Sequence, residues 1–111
     1  MIQPIPMRML QDTVSYLKYV PDTGEGSTYS DAVDLKNVKV EERKVLVTNT
    51  QGDEVVGNAI VFYDLINSVG LLVKPPPKSK IIFEDKTYHV IDTDILRGNS
   101  KTAHHYEILI K

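Results

Sequence analysis

The stretch His104-His105-Tyr106-Glu107-Ile108-Leu109-Ile110 constrains this chain most. It reads as a closing strand, and a strand this apolar must pair with earlier parts of the chain, because an unpaired one aggregates. Just before it, Ile81-Ile82-Phe83 and Thr87 to Ile91 flank a tight turn at Glu84-Asp85-Lys86. Two strands, a polar loop and an apolar final strand argue for a small closed or nearly closed β-structure.

The rest of the chain agrees. From Thr13 to Val20, Val14, Tyr16 and Lys18 alternate with Ser15, Leu17 and Tyr19, the period of a strand. Pro21-Asp22-Thr23-Gly24-Glu25-Gly26-Ser27-Thr28 is dense in turn formers and is the most polar loop. Tyr29 to Asp34 reads as an irregular connection. Leu35 to Arg43 reads as a strand with Val38, Val40 and Glu42 on one parity, whereas Val45 and Val47 take the other. A bulge or turn is therefore expected between Glu41 and Lys44. Gln51-Gly52-Asp53 predicts a hairpin, and Glu54 to Tyr63 the next strand, with Gly57 marking a close approach of strands. Asp64 to Gly70 reads as a turn in which the Asn67 side chain bonds the backbone, or as a short helical turn. Pro75-Pro76-Pro77 lacks donors and is expected at the surface or a sheet edge. Residues 1–11, with Pro4 and Pro6, read as an extended arm. No helical periodicity persists. The expectation is all-β: one domain over residues 1–111, an antiparallel barrel or sandwich of about six to seven strands with long loops and at most a short helical turn.

A chain of 111 residues suits one domain and buries roughly 60–70% of its unfolded surface without disulfide or metal. With 13 Lys+Arg against 15 Asp+Glu the formal net charge is -2, a balance unlike that of a dedicated phosphate-backbone binder. No cysteine is present, which removes thiolate chemistry and Cys-based zinc sites. The N-terminus lacks a signal-peptide pattern. The run Ala59 to Val73, broken by Asp64, Asn67, Ser68 and Gly70, cannot cross a bilayer as a helix.

Candidate chemistry is thin. Strand alternation puts His105 and Glu107 on one face, and His89 from a neighbouring strand would complete a three-ligand metal set. The plainer reading pairs the histidine with the glutamate. Asp92 and Asp94 share a strand face but read as a solvated edge. No serine lies in a nucleophile elbow, and no phosphate-binding glycine loop or dinucleotide fingerprint occurs. Six tyrosines and two phenylalanines allow base stacking on a small barrel, but basic residues are not interleaved with them on one face. No enzyme, cofactor or metal is expected.

The order of signals resembles the short minor capsid proteins of tailed phages and prophages, and more broadly the head-completion, or stopper, proteins of the head–tail connector. The matching residues begin with Leu10, Thr13–Tyr19, Thr28-Tyr29-Ser30 and Leu35 to Glu41. They continue with Ile60-Val61-Phe62-Tyr63-Asp64, Asn67-Ser68, Pro77 to Val90, and His105-Tyr106-Glu107-Ile108. Such proteins often carry a glycine where this chain has Glu84-Asp85-Lys86, which leaves the turn type open.

The resemblance implies a non-enzymatic virion protein at the head–tail junction, assembled in the host bacterial cytoplasm. It implies a homo-oligomeric ring that joins portal or adaptor to tail proteins, with packaged DNA touched at channel loops and no membrane. Interface residues are then expected in the loops: Pro21, Asp22, Thr23, Gly24, Glu25, Gly26, Ser27 and Thr28, and Pro75, Pro76, Pro77 and Lys78. The arm at residues 1–11 would reach an adjacent subunit. The alternative is a small β-barrel that binds single-stranded nucleic acid.

Overall fold

The structure, a computed structural model, describes residues 5–21, 24, 28–48, 51–52, 54–96 and 104–111. Eight strands occur: β1 (Asp12–Leu17), β2 (Tyr19–Val20), β3 (Thr28–Tyr29), β4 (Val33–Thr48), β5 (Glu54–Asp64), β6 (Lys80–Phe83), β7 (Lys86–Leu96) and β8 (His105–Ile110). Six of them close an antiparallel barrel in the order β1-β4-β5-β8-β7-β6, with β6 pairing back to β1, while β2 and β3 form a separate two-stranded hairpin. The closing strand has the partners it needs: Ala59 to Asp64 on one side and Val90 to Leu96 on the other.

Strand alternation fills the interior. Ala59, Val61 and Tyr63 of β5 and Ile108 and Ile110 of β8 point inward, with Val14, Tyr16, Leu35, Val38, Ile81, Tyr88 and Val90. Leu35 and Val38 have opposite parity yet both are fully buried. A bulge at Asn37 reconciles them: Asp12 pairs with Val38 and Thr13 with Lys36, and Asn37 adopts φ 58°. Asparagine tolerates this left-handed conformation better than most residues. The expected irregularity between Glu41 and Lys44 is present as a register shift between Glu42 and Val45. A further bulge between Val90 and Asp92 lets Tyr88, Val90 and Thr93 all face inward, leaving Asp92 and Asp94 exposed together. At Gly57 a Cβ would fall on the Leu109 side chain and 3.1 Å from the Ile110 carbonyl, the close approach the glycine implied.

Three expectations are corrected. The arm is not simply extended: Met7–Met9 form a 3₁₀ turn, Leu10 is buried, and the Ile5 N–H donates to Asp64 Oδ1 at 3.0 Å. The connection over Tyr29 to Asp34 contains β3 and the start of β4. Pro75 is fully buried, not at the surface. Its ring brings no N–H to satisfy, and its carbonyl accepts from Thr93 Oγ1 at 3.4 Å.

The turn after β5 is held by Asp64. This fully buried carboxylate accepts from the N–H groups of Ile5 (3.0 Å), Ile66 (3.1 Å) and Asn67 (2.8 Å). The Asp64 N–H donates to Ser68 Oγ at 2.9 Å, and Ser68 Oγ–H donates onward to the Asn37 carbonyl. Asn67 bonds outward instead, from its amide to the Ile5 carbonyl at 2.9 Å. Hydrogen bonds to a charged acceptor contribute about 1.5–3 kcal/mol each. Asp64→Ala is therefore expected to lower unfolding free energy by roughly 2–4 kcal/mol, measured by denaturant titration, with Asn intermediate.

The β6–β7 turn is a two-residue loop closed by the Phe83–Lys86 pair, with Glu84 at φ 50° and Asp85 at φ 65°. Positive φ at both positions defines a type I′ turn, for which Asn-Gly is preferred. Replacing Glu84-Asp85 by Asn-Gly is expected to stabilise the protein by about 0.5–1 kcal/mol, read as a raised denaturation midpoint at unchanged m-value.

Candidate assembly surface

Closing the barrel consumes most strand edges, so the places where pairing capacity or apolar surface remains stand out. The first is the far end of β4 and β5. Strand β1 accompanies β4 only over Val33–Val38, and β8 accompanies β5 only over Ala59–Asp64. Beyond these limits Val45–Thr48 and Glu54–Gly57 pair only with each other. They form a two-stranded ribbon that runs past β1 and β8, with Gly57 at its base against Leu109 and Ile110, and such ribbons are marginal when nothing covers them. Leu46 on it is 62% exposed. At its base Arg43 Nε meets Glu41 Oε1 at 3.0 Å and Lys86 Nζ meets Glu42 Oε2 at 3.4 Å. These are exposed pairs of small energetic value.

The second place is the loop that follows the Asp64 turn. Ile66 (70%), Val69, Leu72 (99%) and Val73 are exposed, and Val33 lies beside them. The loop is anchored at Val69, which exchanges two 3.0 Å backbone bonds with Lys36, and at Leu71, whose N–H donates to Tyr63 Oη at 3.0 Å. Gly70 has φ 126°, and a Cβ there would sit 2.6 Å from the Asp34 carbonyl. Its apolar side chains are thus held out by backbone contacts. A groove of about 170 Å³ runs beneath them, lined by Tyr16, Val33, Leu71 and Leu72, with Lys18 and Asp31 on it. The groove lies near Val33 at the start of β4 and the ribbon at its end. At roughly 3.3 Å per residue the strand carries these surfaces to opposite ends of a molecule 45 Å long.

The third place is the β2–β3 hairpin, which carries one loop expected from sequence and is bonded to the other expected segment. Tyr19 pairs with Tyr29 and Val20 with Thr28, so the Pro21–Thr28 loop leaves from a defined hairpin. Pro21 and Thr28 are exposed and Gly24 has φ 107°; Asp22, Thr23, Glu25, Gly26 and Ser27 lie outside the described residues. The segment Pro75–Lys78 reaches this hairpin: Tyr29 Oη donates to the Lys78 carbonyl at 3.4 Å, and Tyr19 N–H donates to Ser79 Oγ at 3.0 Å. Sequence reasoning named both loops as interface candidates and did not anticipate the contact of Lys78 and Ser79 with the β2–β3 hairpin. It missed the ribbon and the apolar loop, for which unbroken Val- and Leu-rich runs were the available signal.

The histidines do not converge. His105 Nε2 lies 3.2 Å from Glu107 Oε2, while the His89 N–H is bonded to the Lys111 carbonyl at the other end of β8. Six residue steps along the strand separate them, roughly 20 Å. Among the described residues no three His, Cys, Asp or Glu side chains gather as a metal site.

Burial pushes the Tyr16 phenol pKa up, against a smaller lowering by the nearby Ser79 hydroxyl. The buried Tyr16 hydroxyl makes no hydrogen bond of good geometry with the described residues. The neutral phenol is favoured by the fold, so this contribution is present below the unfolded value near pH 10 and is lost as pH rises through the raised one. Tyr16→Phe should match or exceed the wild type in stability at pH 8 and keep more of it toward pH 11, measured by thermal unfolding.

The structure is thus a closed small barrel with exposed hydrophobic side chains on one loop and a two-stranded ribbon extending past its barrel neighbours. The family model described as "Minor capsid protein" matches residues 6–110. The chain belongs to that family and is a structural component of phage particles. No curated protein and no solved structure matches it.

Proposed function

We propose that this minor capsid protein is a non-enzymatic component of the head–tail connector, of the stopper or head-completion kind, acting in a homo-oligomeric ring between portal or adaptor and tail. The observation that carries this reading is the pair of unlike surfaces at the two ends of β4. One is the ribbon bearing Leu46; the other is the loop bearing Ile66, Leu72 and Val73. A ring requires head-to-tail contacts between two different patches on each subunit. The loop Pro21–Thr28 and the segment Pro75–Lys78, which bonds to the β2–β3 hairpin from which that loop leaves, face further neighbours in this reading. Membership of a structural virion family supports the same role and its location in the particle.

The test is assembly. Leu46→Lys and Leu72→Glu change exposed side chains and should each leave unfolding free energy within about 0.5 kcal/mol of wild type. Supplied in place of the wild type during phage growth, each should give filled heads that leak DNA or remain unjoined to tails, counted by electron microscopy. Normal yields of tailed infectious particles from both variants would refute the connector role.

A further inference from the structure

We propose that Lys78, Lys80 and Lys111, with Tyr19, Tyr29 and His89, form a polyanion site that takes the phosphate backbone of duplex DNA. The sequence scatters these residues; the fold collects them. Lys78 Nζ lies 5.6 Å from the Tyr19 ring centroid and Lys80 Nζ 4.3 Å from that of Tyr29, and the two rings meet edge to face at 5.8 Å. Aromatic faces hold ammonium groups in place without neutralising them. Lys80 is directly opposite His89 in the β6–β7 register, and His89 exchanges two 2.9 Å backbone bonds with Lys111. With adjacent strands about 4.8 Å apart, the basic row crosses three strand positions.

Two observations separate this patch from an ordinary solvated surface. Lys78 and Lys80 hold their ammonium groups over two rings that touch each other, and none of Lys78, Lys80 and Lys111 forms an ion pair with the described residues. Glu84 and Asp85 at the hairpin tip and Asp92 beyond the β7 bulge are the acids that bound it along β6 and β7. The second observation is Lys78 itself. The Ser79 N–H bonds back to the Pro76 carbonyl at 3.4 Å, and Lys78 has φ 74°. This is the third position of a type II turn, where glycine is the relaxed residue. A strained lysine at the centre of a basic cluster fits a site kept for contact, not for stability.

Compact, flexible ammonium groups suit phosphate oxygens, and duplex DNA carries one charge per about 1.7 Å of axis, so a patch this wide meets several phosphates. The choice of DNA among polyanions rests on the connector role, in which packaged DNA passes the ring. The binding itself is measured on purified protein, so its failure is distinct from failure of particle assembly.

Fluorescence anisotropy with a labelled 20-base-pair duplex and the matching single strand, from 20 to 200 mM salt, tests the site. Wild type should bind the duplex at low salt, with log K falling against log salt with a slope of about -2.7 for three phosphates. Lys78→Glu/Lys80→Glu should weaken binding at least tenfold at 20 mM and flatten the slope by about 2. Lys36→Glu/Lys86→Glu, of equal charge change elsewhere, should weaken it much less. Lys78→Gly should melt no lower than wild type yet bind more weakly, which separates contact from folding. Absence of salt-dependent duplex binding at 20 mM, equal loss in both double variants, or tighter binding of the single strand would overturn the assignment.

Discussion

The Asp64 carboxylate is the point on which this structure turns. A fully buried charge is costly unless its lone pairs are occupied, and here three backbone N–H groups occupy them. One lies in the N-terminal segment and two in the carboxylate's own turn. Through Ser68 the same residue reaches the Asn37 carbonyl, and with it the bulge that lets Leu35 and Val38 both face the core. A single residue thereby ties the end of β5 to the course of the chain before β1 through its carboxylate, and to the β4 bulge through its backbone N–H. The apolar loop that follows inherits its position from this knot, reinforced by the Val69–Lys36 bridge.

That rigidity bears on function. Side chains as apolar as Leu72 and Ile66 are expected to fold back onto the nearest core when their loop is free to move. Here the backbone leading to them is bonded at Ser68, Val69 and Leu71, so they stay displayed. An assembly contact presented in advance loses less conformational entropy on docking than one ordered at that moment. The ribbon is the opposite case. It extends past every barrel neighbour, and its strands depend on each other alone among the described residues.

Much of the barrel was legible in the sequence because closed sheets write themselves as alternation. Val14 and Tyr16, Tyr88 and Val90, and Ile108 and Ile110 are read directly as inward pairs. The parity change between Val40 and Val45 announced one bulge. The bulges at Asn37 and near Ile91 were not legible, since a single left-handed asparagine or one extra residue leaves no compositional mark. Pro75 was misplaced because a donorless segment was taken to need solvent, when lacking a donor makes burial less costly. At the surface, the Pro21–Thr28 and Pro75–Lys78 loops could be picked by composition. The contact of Lys78 and Ser79 with the β2–β3 hairpin, and the gathering of Lys78 and Lys80 over Tyr19 and Tyr29, depend on pairings between residues about 50–60 positions apart, which no local pattern encodes. The acidic overall balance even pointed away from a basic patch.

Barrel closure also decides where a neighbour can attach by backbone. A closed sheet offers no edge to a partner strand. Backbone donors and acceptors without a strand partner remain, among the described residues, on the β4–β5 ribbon, where these barrel strands run past β1 and β8, and on the β2–β3 hairpin, which stands outside the closed set. Both are short, and a short two-stranded ribbon gains most from a third strand laid beside it. A ring built from such subunits would concentrate strand addition at these projections while the barrels met through side chains. In such a ring the stability of each barrel and the cohesion between subunits would draw on separate parts of the chain. Mutations in the core would change how much protein folds; mutations in the projections would change what the folded protein joins.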